Sequence, residues 1–278
     1  MDPTSYINSL FNVQGKVVVL TGGGGVICST LGKGYAKAGA KVALLDINLD
    51  AAKAAADAIV AEGGEAIGVQ ADVLDRAKMD QAVQEVLDAY GTVDVLVNGA
   101  GGNNRRATTS AELSFFDLPQ DAFQWVFNLN FVGTLLPTQA FGKVLAEKGE
   151  GVIINIASVN AFRPLTNIPA YSAAKAAVKN FTEWFAAHIS LNYSKNIRVN
   201  AIAPGFYLTE QNRFLLTKPE TGEMTERGKT IVGHTPMGRY GETEELIGTV
   251  LWLSSPAAQF VHGVTVLVDG GFIAYGGV

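Results

Sequence analysis

Apolar runs of strand length alternate with helix-like stretches along the whole chain, and this alternation limits the possible folds more than any other feature. The runs read KVVVL (16–20), KVALLD (41–46), EAIGVQADV (65–73), VDVLVNGAGG (93–102), GVIINIAS (151–158), IRVNAIAPG (197–205) and GVTVLVDGG (263–271). They are rich in Val, Ile and Leu without regular polar alternation, which is typical of parallel strands covered by helices on both faces. The sequence therefore predicts an α/β fold with a doubly wound parallel sheet.

The chain is long enough for one large domain of this kind. It has 278 residues, and no low-complexity linker or block of like charge marks a boundary within it. We expect a single domain over residues 1–278, with a polar insertion at about 206–235 that forms a substrate lid.

Charge and composition argue against several classes of function. The net charge of −5 without a basic block is unfavourable for nucleic acid, and no apolar run reaches the length of a membrane span. The N-terminal sequence lacks the pattern of a signal peptide. The single cysteine, Cys28, excludes an internal disulfide, so we expect a reducing, cytoplasmic location. We expect no metal site, because the histidines lie far apart in sequence at His188, His234 and His262.

Four consecutive glycines follow the first apolar run, in the segment TGGGG at 21–25. An acidic residue, Asp46, ends the second run about 20 residues later, as the Rossmann-type dinucleotide fingerprint requires. A glycine turn at this point can bring main-chain N–H groups and a helix N-terminus onto a pyrophosphate. Asp46 would accept hydrogen bonds from ribose hydroxyls and repel a 2′-phosphate, and Ile47 and Asn48 add no positive charge. The expected cofactor is therefore NAD rather than NADP.

Two residues depart from the glycine pattern of a dinucleotide loop. Val26 and Cys28 occupy positions where glycine is expected, so an ordinary glycine turn is an alternative interpretation. Because Val cannot readily adopt a positive φ, we infer that Gly22 to Gly25 form the turn. Val26 and Ile27 then belong to the first turn of the following helix.

The segment YSAAK contains a tyrosine and a lysine at helical spacing. Tyr171 and Lys175 are four residues apart, which puts both on one helix face. A neighbouring ammonium group lowers the pKa of a phenol and makes it usable for proton transfer near neutral pH. Ser158 ends the fifth apolar run, where its hydroxyl can face the same cleft, and Asn130 lies in the preceding helical stretch.

Together these segments resemble the short-chain dehydrogenase/reductase family over essentially the whole chain. The matching motifs occur in the family's order as TGGGG (21–25), ADV (71–73), NGAGG (98–102), NFVG (130–133), NIAS (155–158), YSAAK (171–175), APG (203–205) and VDGG (268–271). The resemblance implies that Tyr171 is the general acid/base and that Lys175 binds the nicotinamide ribose and lowers the tyrosine pKa. It also implies that Ser158 hydrogen-bonds the reacting substrate oxygen and that Asn130 holds a water in the proton relay.

The resemblance further implies a set of cofactor contacts. These residues are Gly22, Gly25, Val26, Ile27, Asp46, Asp72, Val73, Asn98, Ala100, Gly101, Tyr171, Lys175, Pro204, Gly205 and Thr209. Asp72 and Val73 would flank the adenine, and Pro204 and Gly205 would support the nicotinamide. Two motifs depart from the family pattern, because T-G-x-x-x-G-x-G lacks its last two glycines here and N-N-A-G reads N-G-A-G at 98–101.

The loops after the fourth, fifth and sixth strands carry arginine and amide side chains. Arginine binds a carboxylate through two parallel hydrogen bonds and amides suit hydroxyls, so we predict a sugar-acid substrate. We expect Arg163 to bind the carboxylate, with Arg213 as second choice, and Asn103 to contact a hydroxyl. Gln211, Ser158 and Tyr171 complete the expected substrate site. The alternative interpretation for each arginine is a solvated surface charge.

Several segments resemble one branch of the family, the D-mannonate oxidoreductases. They are TGGGGVIC (21–28), GAGGNN (99–104), PGFYLTEQN (204–212) and DGGFIAYGGV (269–278). This resemblance implies NAD-linked interconversion of D-mannonate and D-fructuronate. The alternatives are a related sugar-acid or polyol dehydrogenase and a non-catalytic NAD-binding sensor or scaffold. The family usually forms tetramers, so we expect a homotetramer that packs the helices at about 120–148 and 169–192.

Overall fold

A sheet of seven parallel strands forms the centre of the structure, a computed structural model that describes residues 2–209, 216–218 and 221–277. The strands are β1 Val17–Thr21, β2 Lys41–Asp46, β3 Glu65–Gln70, β4 Val95–Asn98, β5 Glu150–Ile156, β6 Asn196–Pro204 and β7 Thr265–Val268. Their order across the sheet is β3-β2-β1-β4-β5-β6-β7. The predicted doubly wound α/β fold is confirmed.

Helices cover both faces of this sheet. Their bounds are α1 Pro3–Leu10, α2 Val26–Lys37, α3 Leu49–Ala61, α4 Arg76–Tyr90, α5 Gln120–Phe127, α6 Gly133–Lys148, α7 Pro169–Asn192, α8 Glu226–Gly233 and α9 Ile247–Ser254. The apolar pattern does not predict α1, and none of the residues in this helix is buried. Among the helices of the described residues, none is both long and apolar enough to cross a lipid bilayer.

Successive residues of each strand enter two separate hydrophobic cores. On one face Leu20 packs with Leu31 and Tyr35 of α2. On the other face Val19 packs with Met79 of α4 and with residues of α6 and α7, including Phe141. Because both faces are buried, the strands need continuous apolar sequence, which explains the pattern of runs described above.

The strand order reverses its direction between β1 and β4. These strands pair in parallel, with Thr21 opposite Asn98, although β2 and β3 lie between them in the sequence. In such sheets, ligands bind at the carboxyl ends of the strands where the order reverses. The glycine segment leaves β1 and the NGAGG segment leaves β4 at this point, so both border the same crevice.

A π-helical segment, Asn128–Val132, joins α5 to α6. Such wide turns inside a helix are rare and are frequently found at functional sites. Asn130 lies in the middle of this segment, on the side of the crevice.

Candidate active site

The glycine segment after β1 forms a tight turn against the segment after β4. Gly22 has a φ of +69°, and a Cβ added there would lie 2.9 Å from Ala100 Cα. Thr21 holds the two segments together, because its Oγ1 accepts hydrogen bonds from the main-chain N–H groups of Gly99 and Ala100. Backbone conformation and lack of space therefore both require glycine at position 22.

The next glycines lead the chain past Asp46 into α2. Gly24 N donates to Asp46 Oδ2 at 3.0 Å, and a Cβ at Gly24 would lie 2.6 Å from Ala51 Cβ. Gly25 is the N-cap residue of α2, and among the described residues no side chain caps it. Val26 is the first helical residue, as the sequence predicts. The first-turn N–H groups of α2 are thus directed into the crevice, and a pyrophosphate fits this cradle.

Cys28 and Gly99, which depart from the two family motifs, are in contact with each other. Cys28 is buried, and a Cβ added at Gly99 would overlap its Sγ atom. Cys28 therefore fills the volume that a side chain at position 99 would take. Burial raises the pKa of the Cys28 thiol to about 12, so the reactive thiolate is not populated at neutral pH. Cys28 is accordingly a packing residue of the cofactor loop.

Asp46 lies at the end of β2, beside the glycine turn. Its side chain is half-buried, and its Oδ2 receives the hydrogen bond from Gly24. The turn that contains Asp72 and Val73 is joined to the same strand end, because Ala71 N donates to Asp46 O at 2.9 Å. The structure therefore brings the predicted adenosine-side residues together at one end of the crevice.

The Asn98 side chain forms buried hydrogen bonds within the fold. It is buried, and its Nδ2 donates to Thr138 Oγ1 at 2.9 Å and to Asn155 Oδ1 at 2.8 Å. Asn155 Nδ2 in turn donates to Thr182 Oγ1 at 2.9 Å. This side chain ties β4 to β5, α6 and α7, because buried amides require partners, and a cofactor contact from the main chain of Asn98 stays a prediction.

The predicted nicotinamide-side residues follow one another at the end of β6. Pro204 is the last residue of that strand, and Gly205 N donates to Val268 O at 3.0 Å. A Cβ added at Gly205 would lie 2.8 Å from Asp269 Cα, so this turn packs closely on the end of β7. Thr209 is half-buried four residues further on, and residues 210–215 lie outside the described residues.

Helix α7 carries Tyr171 and Lys175 on consecutive turns that face the crevice. Lys175 is buried, and its Nζ donates to Ile156 O at 2.8 Å and lies 5.6 Å from the centre of the Tyr171 ring. A Cβ added at Gly101 would lie 3.4 Å from Lys175 Nζ and 2.6 Å from Asn130 Oδ1. Glycine at position 101 therefore allows the ammonium and the amide to approach the same segment.

Burial is the largest influence on both titratable groups. It lowers the pKa of Lys175 to about 8, because the charged ammonium is desolvated. It also raises the pKa of Tyr171, and the neighbouring Ser158 hydroxyl opposes this only in part. Desolvation of the phenolate therefore dominates at Tyr171, and the lowering of the tyrosine pKa by Lys175 stays a prediction.

Asn130 clamps the segment that leaves β4. Its Nδ2 donates to Val126 O at 2.8 Å and to Gly102 O at 2.7 Å, and its Oδ1 accepts from Gly102 N at 3.3 Å. The π-helical segment supplies the room for this arrangement. The side chain thus holds the glycine segment beside the lysine, and the water-holding role stays a prediction.

Ser158 forms hydrogen bonds with Asn160, a residue that the sequence pattern did not indicate as functional. Ser158 precedes a short 3₁₀ turn, Val159–Ala161, and its Oγ accepts hydrogen bonds from Asn160 N and Asn160 Nδ2, both at 3.2 Å. The signal that could have found Asn160 is an amide two residues after a strand-ending serine, a spacing typical of local side-chain to backbone bonding.

The Arg163 side chain binds the C-terminal segment of the chain. Its guanidinium donates to two carbonyls of the C-terminal segment, to Ile273 O at 3.0 Å and to Tyr275 O at 3.2 Å. Two of its five N–H donors are thus engaged with the chain itself, and the role of Arg163 as the first choice for a substrate carboxylate stays a prediction.

The other predicted substrate residues have separate surroundings. Asn103 is exposed, and its Nδ2 donates to Thr108 Oγ1 at 3.1 Å. Gln211 and Arg213 lie outside the described residues. The segment predicted to form a lid, at about 206–235, includes α8, and the His234 ring lies 5.9 Å from Phe272 and 5.3 Å from Tyr275 of the C-terminal segment.

Comparison with known proteins decides the family. Residues 16–220 match the family model for short chain dehydrogenases. The chain belongs to the short-chain dehydrogenase family. An uncharacterized oxidoreductase of Bacillus subtilis is 46% identical over 276 residues, which cover 96% of this chain and 98% of that protein.

Two solved structures of short-chain dehydrogenases share the whole fold. A Haemophilus influenzae protein, provisionally called a D-mannonate oxidoreductase and solved with bound NAD, is 47% identical with a TM-score of 0.90, covering 96% of this chain and 98% of that chain. A gluconate 5-dehydrogenase from Burkholderia cenocepacia, in complex with NADP and tartrate, is 30% identical with a TM-score of 0.85, covering 97% of this chain and 99% of that chain. This short-chain dehydrogenase is accordingly an oxidoreductase of a family that uses NAD(P).

Proposed function

We propose that this short-chain dehydrogenase interconverts a secondary alcohol and a ketone of a sugar acid, with D-mannonate and D-fructuronate as the substrate pair and NAD as the cofactor. The observation that carries the reaction type is the meeting of Ser158, Tyr171 and Lys175 at the crevice beside the glycine turn. The similarity to the Haemophilus influenzae protein supports the substrate pair.

The chain's own residues supply binding and proton transfer. The bound cofactor would supply the hydride chemistry, with NAD+ as the acceptor in the oxidation and NADH as the donor in the reduction. The Tyr171 hydroxyl holds the proton that is exchanged with the substrate oxygen, and Ser158 hydrogen-bonds the same oxygen. Lys175, buried and fixed by Ile156, keeps a positive charge beside the phenol and stabilises the phenolate as it forms.

The preference for NAD rests on the charge at the end of β2. The Asp46 carboxylate is held beside the glycine turn and would repel a 2′-phosphate. Ile47, the next residue, is exposed and carries no charge that could bind a phosphate. The NADP-bound gluconate 5-dehydrogenase indicates that this fold accepts either cofactor, so the choice depends on such local charges.

The carboxylate partner that we propose is Arg105. Its neighbour Arg106 is paired with Asp121 at 3.0 Å, whereas Arg105 is exposed and forms no ion pair among the described residues. Arg105 begins a 3₁₀ turn whose last residue, Ala107, packs in the same buried cluster as Tyr171. The loop that packs against the catalytic tyrosine therefore carries an exposed guanidinium suited to a carboxylate.

The test is a substrate panel read by NADH absorbance, with D-fructuronate, 5-keto-D-gluconate and the neutral ketose D-fructose, each with NADH and NADPH. D-Fructuronate with NADH should give the highest kcat/KM. Arg105→Ala should lower kcat/KM for the acids by roughly 30-fold or more, the scale for losing a desolvated charge contact, and leave D-fructose unchanged.

Arg106→Ala is the matched control, because it removes an adjacent arginine that already has a partner. Preference for a different acid or for a polyol would overturn the substrate pair and retain the enzyme class. NADH binding without turnover of any carbonyl compound would instead favour the sensor or scaffold.

We also propose that the protein is a cytoplasmic homotetramer that uses α7 as an interface. An aromatic row on this helix supports self-association, since Trp184 stacks on His188 with ring centres 4.7 Å apart and is 56% exposed. Leu191 and Tyr193 extend the exposed row. Light scattering should give the tetramer mass for the parent chain and a smaller particle for Trp184→Glu; an unchanged mass in the variant would argue against this interface.

A further inference from the structure

The direction of the hydrogen bonds around Ser158 is set by one buried side chain. Ser158 Oγ accepts from both the main-chain N and the Nδ2 of Asn160, each at 3.2 Å. A hydroxyl has two acceptor positions and one proton to donate. Both acceptor positions are therefore filled from Asn160, and the proton is the part of the hydroxyl that is left to interact with another group.

The orientation of the Asn160 amide is fixed independently of Ser158. Its Oδ1 accepts from Leu165 N at 3.2 Å and from Ser172 Oγ at 2.9 Å. A main-chain N–H can only donate, so the group facing Leu165 must be the oxygen and the group facing Ser158 must be the NH₂. Asn160 is also buried, with 6% of its surface exposed, so water competes little for these bonds.

We propose that Asn160 is a positioning residue that makes Ser158 an obligate hydrogen-bond donor to the reacting oxygen. Toward the Tyr171 oxygen Ser158 can then act only as a donor. When a ketone binds, the one Ser158 proton turns to the ketone oxygen and the Tyr171 proton is donated to the same oxygen, so two donors converge on it during reduction. In oxidation, the substrate hydroxyl accepts from Ser158 and gives its proton to the Tyr171 oxygen.

This inference rests on the proposed alcohol–ketone chemistry, and substitution of Asn160 separates it from a purely structural role. Asn160→Asp keeps the shape and both bonds to Oδ1, but it replaces the NH₂ by a carboxylate oxygen that draws the Ser158 proton to itself. Asn160→Ala loses all three side-chain bonds but leaves the Ser158 proton free. A positioning role therefore predicts that kcat falls from parent to Ala to Asp, whereas a structural role predicts that Asp is the milder change.

The expected effect of Asn160→Asp is a fall in kcat of about 10²-fold, the scale for removing one donor to a developing oxyanion, while Asn160→Ala loses about 10-fold or less. KM and the dissociation constant of NADH should change little in both variants. Ser172→Ala is the matched control, since it removes a bond to the same Oδ1 without altering Ser158, and it should remain near the parent. Thermal unfolding of each variant verifies that the fold is retained.

A double-mutant cycle with Ser158→Ala distinguishes this effect from simple charge repulsion. If Asn160 acts through Ser158, then Asn160→Asp adds little to the loss already caused by Ser158→Ala. Additive losses, or an Asp variant more active than the Ala variant, would overturn the inference. The cycle uses whichever ketone the parent reduces, so a wrong substrate pair leaves it intact; a parent that reduces no ketone overturns the proposed function and this inference together.

Discussion

We expect Lys175 to lower the free energy of unfolding of the protein. The side chain is buried, and its ammonium has Ile156 O as a main-chain acceptor at 2.8 Å. Replacing it by methionine keeps most of the side-chain volume and removes the charge. We therefore expect Lys175→Met to be more stable than the parent at neutral pH, although its turnover should fall by roughly 10²-fold or more because the phenolate loses its positive neighbour.

The magnitude follows from the pKa of the lysine. Burial lowers that pKa from 10.5 to about 8, which corresponds to about 3 kcal/mol of unfavourable free energy for the charged form in the fold. Losing the hydrogen bond to Ile156 O destabilises the variant by about 1 kcal/mol. Its free energy of unfolding should therefore be about 2 kcal/mol higher than that of the parent at pH 7. Below about pH 8 the lysine is charged in both states, and this difference is constant.

The pH dependence has a definite sign. Between about pH 8 and 10.5 the folded lysine loses its proton while the unfolded lysine keeps it, so the stability of the parent rises with pH. The advantage of Lys175→Met should therefore shrink by about 3 kcal/mol across that range. Urea unfolding of parent and variant at several pH values measures this directly. Lys53→Met, at an exposed helical lysine, is the control and should show no such trend; a constant difference between Lys175→Met and the parent from neutral to alkaline pH would refute the reasoning.

Three further substitutions test other parts of the site. Tyr171→Phe should lower kcat by roughly 10²-fold or more with NADH affinity retained, and parent-like turnover would remove the tyrosine from its assigned role. Asp46→Asn keeps an acceptor for the glycine turn but removes the charge, so the ratio of kcat/KM for NADPH over NADH should rise; an unchanged ratio would mean that Asp46 does not discriminate. Gly99→Asn should destabilise the protein by about 1–3 kcal/mol through overlap with Cys28, and the double variant with Cys28→Gly should recover much of the loss, as denaturant unfolding can verify.

The sheet and the cofactor turn could be predicted because their signals are local. The run KVALLD coincides with β2, and the start of α2 at Val26 follows from the inability of valine to take a positive φ. Helix α1 was not predicted, although it has local start signals. Asp2 accepts hydrogen bonds from Thr4 N and Ser5 N, and Pro3 is the first helical residue. Those start signals are present in the sequence, but no apolar periodicity accompanies them.

The features of the site that the sequence did not indicate concern where side chains point. Arg163 lies five residues after Ser158, as expected for a substrate loop, yet its partners are carbonyls more than 100 residues further along the chain. Asn98 sits at the end of β4, but its side chain alternates into the sheet interior. Asn160 was missed because its importance depends on Leu165 and other groups that only the folded loop brings together. Side-chain direction within a loop is decided by tertiary contacts, which a local pattern does not contain.

The contact between Cys28 and Gly99 also carries information about ancestry. The family pattern has glycine at position 28 and asparagine at position 99. That pair fits together, and so does the present pair of Cys28 and Gly99. Cysteine at 28 combined with a side chain at 99 is destabilised by overlap, whereas glycine at both positions only leaves a small void. A path in which the side chain at 99 is lost before cysteine appears at 28 therefore avoids the destabilised combination. Relatives that combine cysteine at 28 with asparagine at 99 should therefore be rarer than relatives with glycine at both positions.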